Sequence, residues 1–156
     1  MTQIETDIQP IIDSRCHLDG PLLPILHALQ ASFGQIPETA LPLIANRLNL
    51  TQAEVHGVIS FYHDFRTSPA GRQVIKICRA EACQSVGADV LIKDMLSQFN
   101  MQAFGTTPNN TVTIEPVYCL GLCACGPAAM IDGQVIGRAT PARLNDAIKD
   151  QSKAAQ

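Results

Sequence analysis

The chain has 156 residues, 46% of them hydrophobic, with a formal net charge of −3 and six cysteines. That length suits one domain or two small ones, and the hydrophobic share is enough for a packed core. The acidic balance argues against a general affinity for nucleic acid or anionic membrane, and no apolar run of about 18 residues exists to span a bilayer.

The first residues, Met1-Thr2-Gln3-Ile4-Glu5-Thr6-Asp7, lack the basic and apolar regions of a secretory signal. The expectation is therefore a cytoplasmic protein, whose clustered cysteines are ligands or catalytic thiols rather than structural disulfides. Residues 1–20 read as a weakly helical or irregular lead that ends at the turn Asp19-Gly20-Pro21. Leu22, Ile25, Leu26, Leu29 and Phe33 then recur at helical spacing, and Gly34 stops the run. Pro37 suits the first turn of a second helix that carries Leu41, Ile44, Ala45 and Leu48. Pro42 falls inside it, close enough to the start to be tolerated or to shift that start.

Thr51-Gln52-Ala53-Glu54 is a capping-box sequence, and Val55, Val58, Ile59 and Tyr62 continue one side of a third helix. Thr67 to Gly71 is rich in turn-formers and reads as a linker. Residues 1–70 are thus a helical bundle without a metal-ligand cluster of its own. It is either a self-contained core or a docking element, with His56-Gly57 and Phe61-Tyr62-His63 at the junction.

The pattern changes at Gln73. Val74-Ile75-Lys76-Ile77-Cys78 is β-branched and reads as a strand that delivers Cys78 to its end. A helix follows from Ala88 to Phe99 with Val90, Leu91, Met95, Leu96 and Phe99 on its face, then a loop from Gly105 to Asn110. Thr111 to Tyr118 is a second strand, broken or bent at Pro116, which delivers Cys119. Asp132-Gly133 between two apolar runs marks a hairpin. Thr140-Pro141 opens a last helix carrying Leu144, Ala147 and Ile148, and the polar tail from Gln151 is expected to fray. The order β-α-β-β-α predicts a parallel pair plus an antiparallel edge. The fold class is therefore α+β, a helical bundle over 1–70 followed by a thioredoxin-like α/β domain over 71–156.

The chemistry lies in the cysteines. Cys78 and Cys83 are spaced C-x4-C, and Cys119 and Cys123 C-x3-C, with Cys125 close behind and Cys16 far away. Four soft thiolates in two pairs suit a [2Fe–2S] cluster, in which each iron takes two, and C-x4-C is a spacing found in plant-type clusters. Glycines 87, 121 and 126 would let backbone N–H groups approach the sulfurs. Structural zinc usually uses C-x2-C pairs, and a dithiol redox site advertises C-x-x-C at a helix start. Neither spacing is present, but both readings stay open beside that of plain buried cysteines. Cys125 is an alternative to Cys123 as a ligand and reads as a supporting or buried residue. The scattered His17, His27, His56 and His63 offer no ligand set, and Arg79 and Glu81 read as exposed loop charges. Gly121-x4-Gly126 lacks the Lys and Ser/Thr of a phosphate loop, no G-x-G-x-x-G occurs, and no acid–base pair stands out.

Together, Cys78-x4-Cys83, Cys119-Leu120-Gly121-Leu122-Cys123-Ala124-Cys125-Gly126-Pro127 and Val55-His56-Gly57-Val58-Ile59-Ser60-Phe61-Tyr62 resemble the 24 kDa subunit family of respiratory NADH dehydrogenase. That family includes the matching subunits of NAD-reducing hydrogenases and the gamma subunits of soluble NAD-dependent formate dehydrogenases. The resemblance runs from about residue 20 to 148, and the 35 residues between the two cysteine motifs make it specific. It implies a [2Fe–2S] cluster held by Cys78, Cys83, Cys119 and Cys123. It further implies a relay of single electrons beside a partner subunit that carries FMN, NAD and further iron–sulfur clusters. Cys78-Arg79-Ala80-Glu81-Ala82-Cys83-Gln84 and the compact C-terminus look most similar to the formate dehydrogenase branch, which implies a molybdenum- or tungsten-containing subunit that oxidises formate. Cys125 departs from many relatives, which have another residue there. A free thioredoxin-like ferredoxin is the rival from another class, and would not need the preceding helices.

Overall fold

The computed structural model describes residues 3–154, with side-chain surroundings over 4–150. The chain divides into two compact units, Met1–Pro69 and Ala70–Gln156.

The first unit is helical: α1 Gln3–Asp13, α2 Leu22–Phe33, α3 Ala40–Leu48 and α4 Gln52–Phe61. The lead that reads as weak is a full helix, and it contributes Ile8 and Ile12, both fully buried, to the unit's aliphatic core. Ile4, Ile8 and Ile12 are spaced by four, but Pro10 within the helix masks that period in the sequence. Gly34, at φ 73°, ends α2 with its N–H on the Gln30 carbonyl, because a left-handed residue suits a helix end. Pro42 shifts the start of α3 to Ala40, which leaves the proline in the first turn, where no intrahelical N–H is needed. The capping box forms: the Glu54 N–H donates to Thr51 Oγ1 at 3.2 Å, and the Thr51 N–H donates to Glu54 Oε2 at 2.8 Å. The Thr51 N–H, with the Thr51 hydroxyl that also donates to Oε2 at 2.8 Å, holds the Glu54 carboxyl below its ordinary range. Of the expected face of α4, Val55 and Ile59 are buried, while Tyr62 lies past the helix end and is exposed.

The second unit is a five-stranded sheet in the order β2-β3-β1-β4-β5. Its strands are β1 Gln73–Cys78, β2 Gly105–Thr106, β3 Val112–Val117, β4 Ala129–Ile131 and β5 Gln134–Ile136. Its helices are α5 Glu81–Gln84, α6 Ala88–Gln98 and α7 Pro141–Ala154. β1 and β3 are parallel with Cys78 opposite Val117, and the other pairings are antiparallel. This register decides the site. Two neighbouring strands that run the same way stop side by side, so the two cysteine loops leave from one end of the sheet.

The core of this unit joins Ile75, Ile77, Ile114 and Ile131 from the strands to Leu91 and Met95 of α6 and Leu144 of α7. Each such buried side chain contributes up to roughly 1.5–3 kcal/mol. Val90, expected on the inner face of α6, is 61% exposed; Ala88, Leu91, Ile92 and Met95 take that face instead. β3 runs through Pro116 without a break. The short β2 pairs only with Thr113 and Ile114, so beyond them β3 has β1 alone as neighbour, and an edge position tolerates proline. β2 itself, two residues inside an expected loop, was too short to carry a period. Asp132 and Gly133 form the hairpin turn at φ 45° and 89°, and Asp132 Oδ1 accepts from the Val74 N–H at 2.8 Å. Thr140 Oγ1 caps α7 by accepting from the Arg143 N–H. α7 spans Pro141–Ala154, and residues 155–156 of the expected tail lie outside the described residues.

Candidate metal centre

The first cysteine loop is a tight return. Cys78 ends β1 with its N–H on the Ala128 carbonyl at 2.9 Å, and the Arg79 N–H extends the ladder to the Val117 carbonyl at 2.7 Å. The chain then turns into α5. The N–H groups of Cys83 and Gln84 both bond the Ala80 carbonyl, at 2.9 and 3.0 Å, and the Gln84 side chain donates to the Arg79 carbonyl at 2.7 Å. This turn swings Cys83 back beside Cys78, and both are 1% exposed. Gly87, at φ 98°, starts α6; its N–H goes to the Gln84 carbonyl, not to a sulfur as the sequence suggested.

The second loop is looser. Past Val117, Gly121 at φ 75° reverses the chain and donates its N–H to Cys119 Sγ at 3.3 Å. Cys123 opens a single 3₁₀ turn to Cys125, closed by the Cys125 N–H on the Leu122 carbonyl at 2.9 Å. The Cys119 and Cys123 sulfurs stand 3.8 Å apart, and both residues are exposed. Gly126 closes the space over the first loop. A Cβ there would lie 3.6 Å from Cys83 Sγ and 2.8 Å from Val86 Cγ2.

The thiols sense one another across the loops. Burial pushes the Cys83 thiol up, followed by its hydrogen bond with Cys78 and the charges of Cys78 and Cys123. The Ala128 backbone N–H at the Cys83 sulfur pulls the other way. The Cys123 thiol is pushed up first by its hydrogen bond with Cys119, then by the charge of Cys119, by burial and by the charge of Cys78. Cys78 thus bears on a residue of each loop. Two pairs of sulfur donors brought to one end of the sheet form a soft ligand set of the kind that suits a soft metal centre. Among the described residues no three His, Cys, Asp or Glu side chains gather as a site for a single ion. The thiols stand as two pairs, one buried and one exposed, and this donor set suits a two-iron group that takes two thiolates per iron.

The other sequence candidates fall elsewhere. Cys125 is half-buried; its carbonyl accepts the Arg138 N–H at 2.5 Å, and a Cβ on Gly137 would meet its own Cβ at 3.0 Å. Cys16 belongs to the helical unit, where its Sγ donates to the Asp13 carbonyl at 3.3 Å. His17, His27, His56 and His63 are also in that unit, with His27 against the Phe65 ring at 4.9 Å. Arg79 is not the free loop charge that the sequence suggested. It is half-buried over the Phe104 ring, 5.7 Å from its centroid, and its buried Nε has no hydrogen-bond partner among the described residues. The Ala128 N–H was not legible beforehand, because it reaches Cys83 only through the pairing of β4 with β1.

Comparison with known proteins gives the family. Residues 8–152 match the family described as thioredoxin-like [2Fe–2S] ferredoxin. The chain is 31% identical over 140 residues to a subunit of the NADH-quinone oxidoreductase of Pseudomonas aeruginosa, covering 88% of this chain and 84% of that protein. It is 30% identical over 138 residues to HndA, a subunit of the NADP-reducing hydrogenase of Solidesulfovibrio fructosivorans, covering 88% and 81%. Among solved structures it is similar to an NAD+-reducing [NiFe]-hydrogenase, with a TM-score of 0.67 and 26% identity, over 82% of this chain and 23% of that one.

Proposed function

The chain belongs to the thioredoxin-like [2Fe–2S] ferredoxin family, and from that premise we propose that it is the electron-transfer subunit of an NAD-linked oxidoreductase complex. In this reading Cys78, Cys83, Cys119 and Cys123 hold the cluster. One observation carries it: parallel strands β1 and β3 end side by side and hand two cysteine pairs to one corner of the sheet. The cluster supplies one-electron transfer. The protein does the rest. The buried Cys78–Cys83 pair keeps water from one side of the site, and the exposed Cys119–Cys123 pair leaves the other side open to a partner. The Gly121 and Ala128 amides point N–H dipoles at Cys119 and Cys83, which stabilises negative charge on the sulfurs and raises the reduction potential.

NAD chemistry moves a hydride, two electrons at once, so a flavin must split it into single electrons. The partner in this reading is an FMN- and NAD-binding iron–sulfur flavoprotein, in line with the similarity to subunits of NADH-quinone oxidoreductase and hydrogenase. No described helix is long and apolar enough to cross a membrane. On the helical unit, Phe61 is 73% exposed beside Tyr62, and we assign this aromatic surface to the partner. Within the family, the formate dehydrogenase gamma branch is our finer reading, based on Cys78 to Gln84. Its complex would include a molybdenum- or tungsten-containing subunit. The equivalent subunit of a hydrogenase or quinone oxidoreductase is the second reading, favoured by the names of the relatives.

Affinity purification of the tagged chain from its own host tests this. A co-purifying flavoprotein with formate-dependent NAD reduction supports the proposal in full. Hydrogen- or quinone-linked activity instead moves the chain to the second reading. A lone monomer that delivers electrons to acceptors makes it a free carrier and overturns the subunit reading. Phe61→Ala with Tyr62→Ala should reduce partner recovery several-fold and leave the iron content unchanged.

A further inference from the structure

The two cysteine pairs differ in what they can do when no metal holds them. Cys78 and Cys83 are sealed, each 1% exposed, behind α5 and the Gly126 segment. Cys119 and Cys123 are both exposed, with sulfurs 3.8 Å apart. A disulfide needs about 2.05 Å between sulfurs, so less than 2 Å of approach is required. The loop between them turns at Gly121, a residue free to adopt positive φ, and a Cβ there would touch nothing within 4 Å. Cys123 lies in a single 3₁₀ turn, not in a strand or a long helix. Closing the bridge therefore breaks no ladder. Cys125, the third thiol of the segment, is less suited: it is half-buried, and Gly137 and Arg138 pin its backbone.

We propose that in the cluster-free chain Cys119 and Cys123 form a thiol switch that closes to an intramolecular disulfide and blocks cluster assembly until it is reduced. The inference rests on the reading that these two residues are iron ligands. The oxidant is a low-molecular-weight disulfide such as oxidised glutathione. One protein sulfur, as thiolate, attacks a sulfur of that disulfide, forms a mixed disulfide and expels one glutathione thiolate. The second protein thiolate attacks the protein-side sulfur of the mixed disulfide, forms the Cys119–Cys123 bond and expels the second glutathione thiolate. The protein pair is oxidised by two electrons, the glutathione disulfide is reduced to two thiols, and the two protein protons end on them. Cys78 and Cys83 stay reduced because no disulfide of that size reaches them. The consequence is reversible: half of the ligand set is withdrawn while the buried half keeps its place.

The test uses the full chain, stripped of metal by chelation under reducing conditions and desalted anaerobically. It is incubated with oxidised glutathione, and the remaining thiols are alkylated. The expected result is the loss of two of the six thiols. Fragmentation of the tryptic segment Asp94 to Arg138, which contains Cys119, Cys123 and Cys125, should place the bridge between the first two, with Cys125 alkylated. Cys125→Ser should leave the bridge intact, and Cys119→Ser should abolish it. A bridge that includes Cys78 or Cys83, a bridge to Cys125, or a mixed disulfide that never closes overturns the proposal. Reconstitution with iron and sulfide separates the two readings. If the oxidised chain takes up at least ten-fold less cluster than the reduced chain and dithiothreitol restores it, both stand. If the mapped disulfide forms but the cluster assembles regardless, the blocking role falls, and with it the assignment of Cys119 and Cys123 as ligands.

Discussion

The two cysteine loops start from adjacent ends of one parallel strand pair, yet they are built differently. The Cys78 loop is short and internally bonded, and it packs Cys83 into the protein beside Ala88 and Ala128. The Cys119 loop rests on one positive-φ glycine and a single 3₁₀ turn, and exposes both of its thiols. One pair belongs to the fold and the other to the surface. A relay needs both: a rigid, dry side that fixes the site, and an open side through which a partner comes close.

Cysteine replacement should separate the roles most sharply. Cys83→Ser is expected to lose the cluster and also weaken the fold. It places a hydroxyl in a sealed site, at a cost of about 1–3 kcal/mol if it goes unpaired. Cys123→Ser should lose the cluster equally but leave the apo unit as stable as the wild-type apo unit, because its side chain faces solvent. Iron content and thermal unfolding of the two variants check this; equal destabilisation would erase the distinction between the loops.

Two glycine substitutions come next. Gly126→Ala should cost about 1–3 kcal/mol by overpacking, since the new methyl meets Val86 Cγ2 at 2.8 Å over the buried pair. Gly121→Ala has open space but must hold φ near 75°, so about 1–2 kcal/mol of backbone strain is expected in the exposed loop. The first should slow cluster insertion more than the second, as read by the visible absorbance that develops during reconstitution.

The thiol equilibria give a smaller effect. Cys83 and Cys123 are both raised in the folded apo chain, so the folded form keeps its protons longer than the unfolded one. That contribution is fully present below the ordinary thiol value of about 8.5 and is lost as pH rises through the raised folded values. The apo melting temperature should therefore fall between pH 8 and pH 10, while the loaded chain, whose sulfurs carry no proton, should show no such fall. The smallest effect is expected for Cys125→Ser, which should retain the full cluster, since Cys125 is read as a supporting residue.

Much of this was legible in the sequence because it is local chemistry. The cysteine spacings, the Thr51–Glu54 capping box, the Asp132-Gly133 turn and the Thr140-Pro141 helix start each need only a few adjacent residues, and each signals its own geometry. What escaped depends on contacts that spacing does not encode. α1 was hidden by Pro10 until Ile8 and Ile12 had a core to enter. Val90 lies one position off the face that α6 buries. The difference in exposure between two similar cysteine pairs follows from how α5 and the Gly126 segment close over one loop and not the other.

The central claim is that two thiolate pairs at one end of the sheet hold a two-iron centre. Electron paramagnetic resonance on the anaerobically purified, dithionite-reduced chain, with iron, zinc and sulfide assayed in the same sample, tests it most directly. The account predicts about two irons and two sulfides per chain, with a spin-one-half signal that appears on reduction and is lost in Cys83→Ser and Cys123→Ser alike. Zinc in place of iron, with no signal in either redox state, would contradict it and make the cysteine corner a structural metal site without an electron to pass.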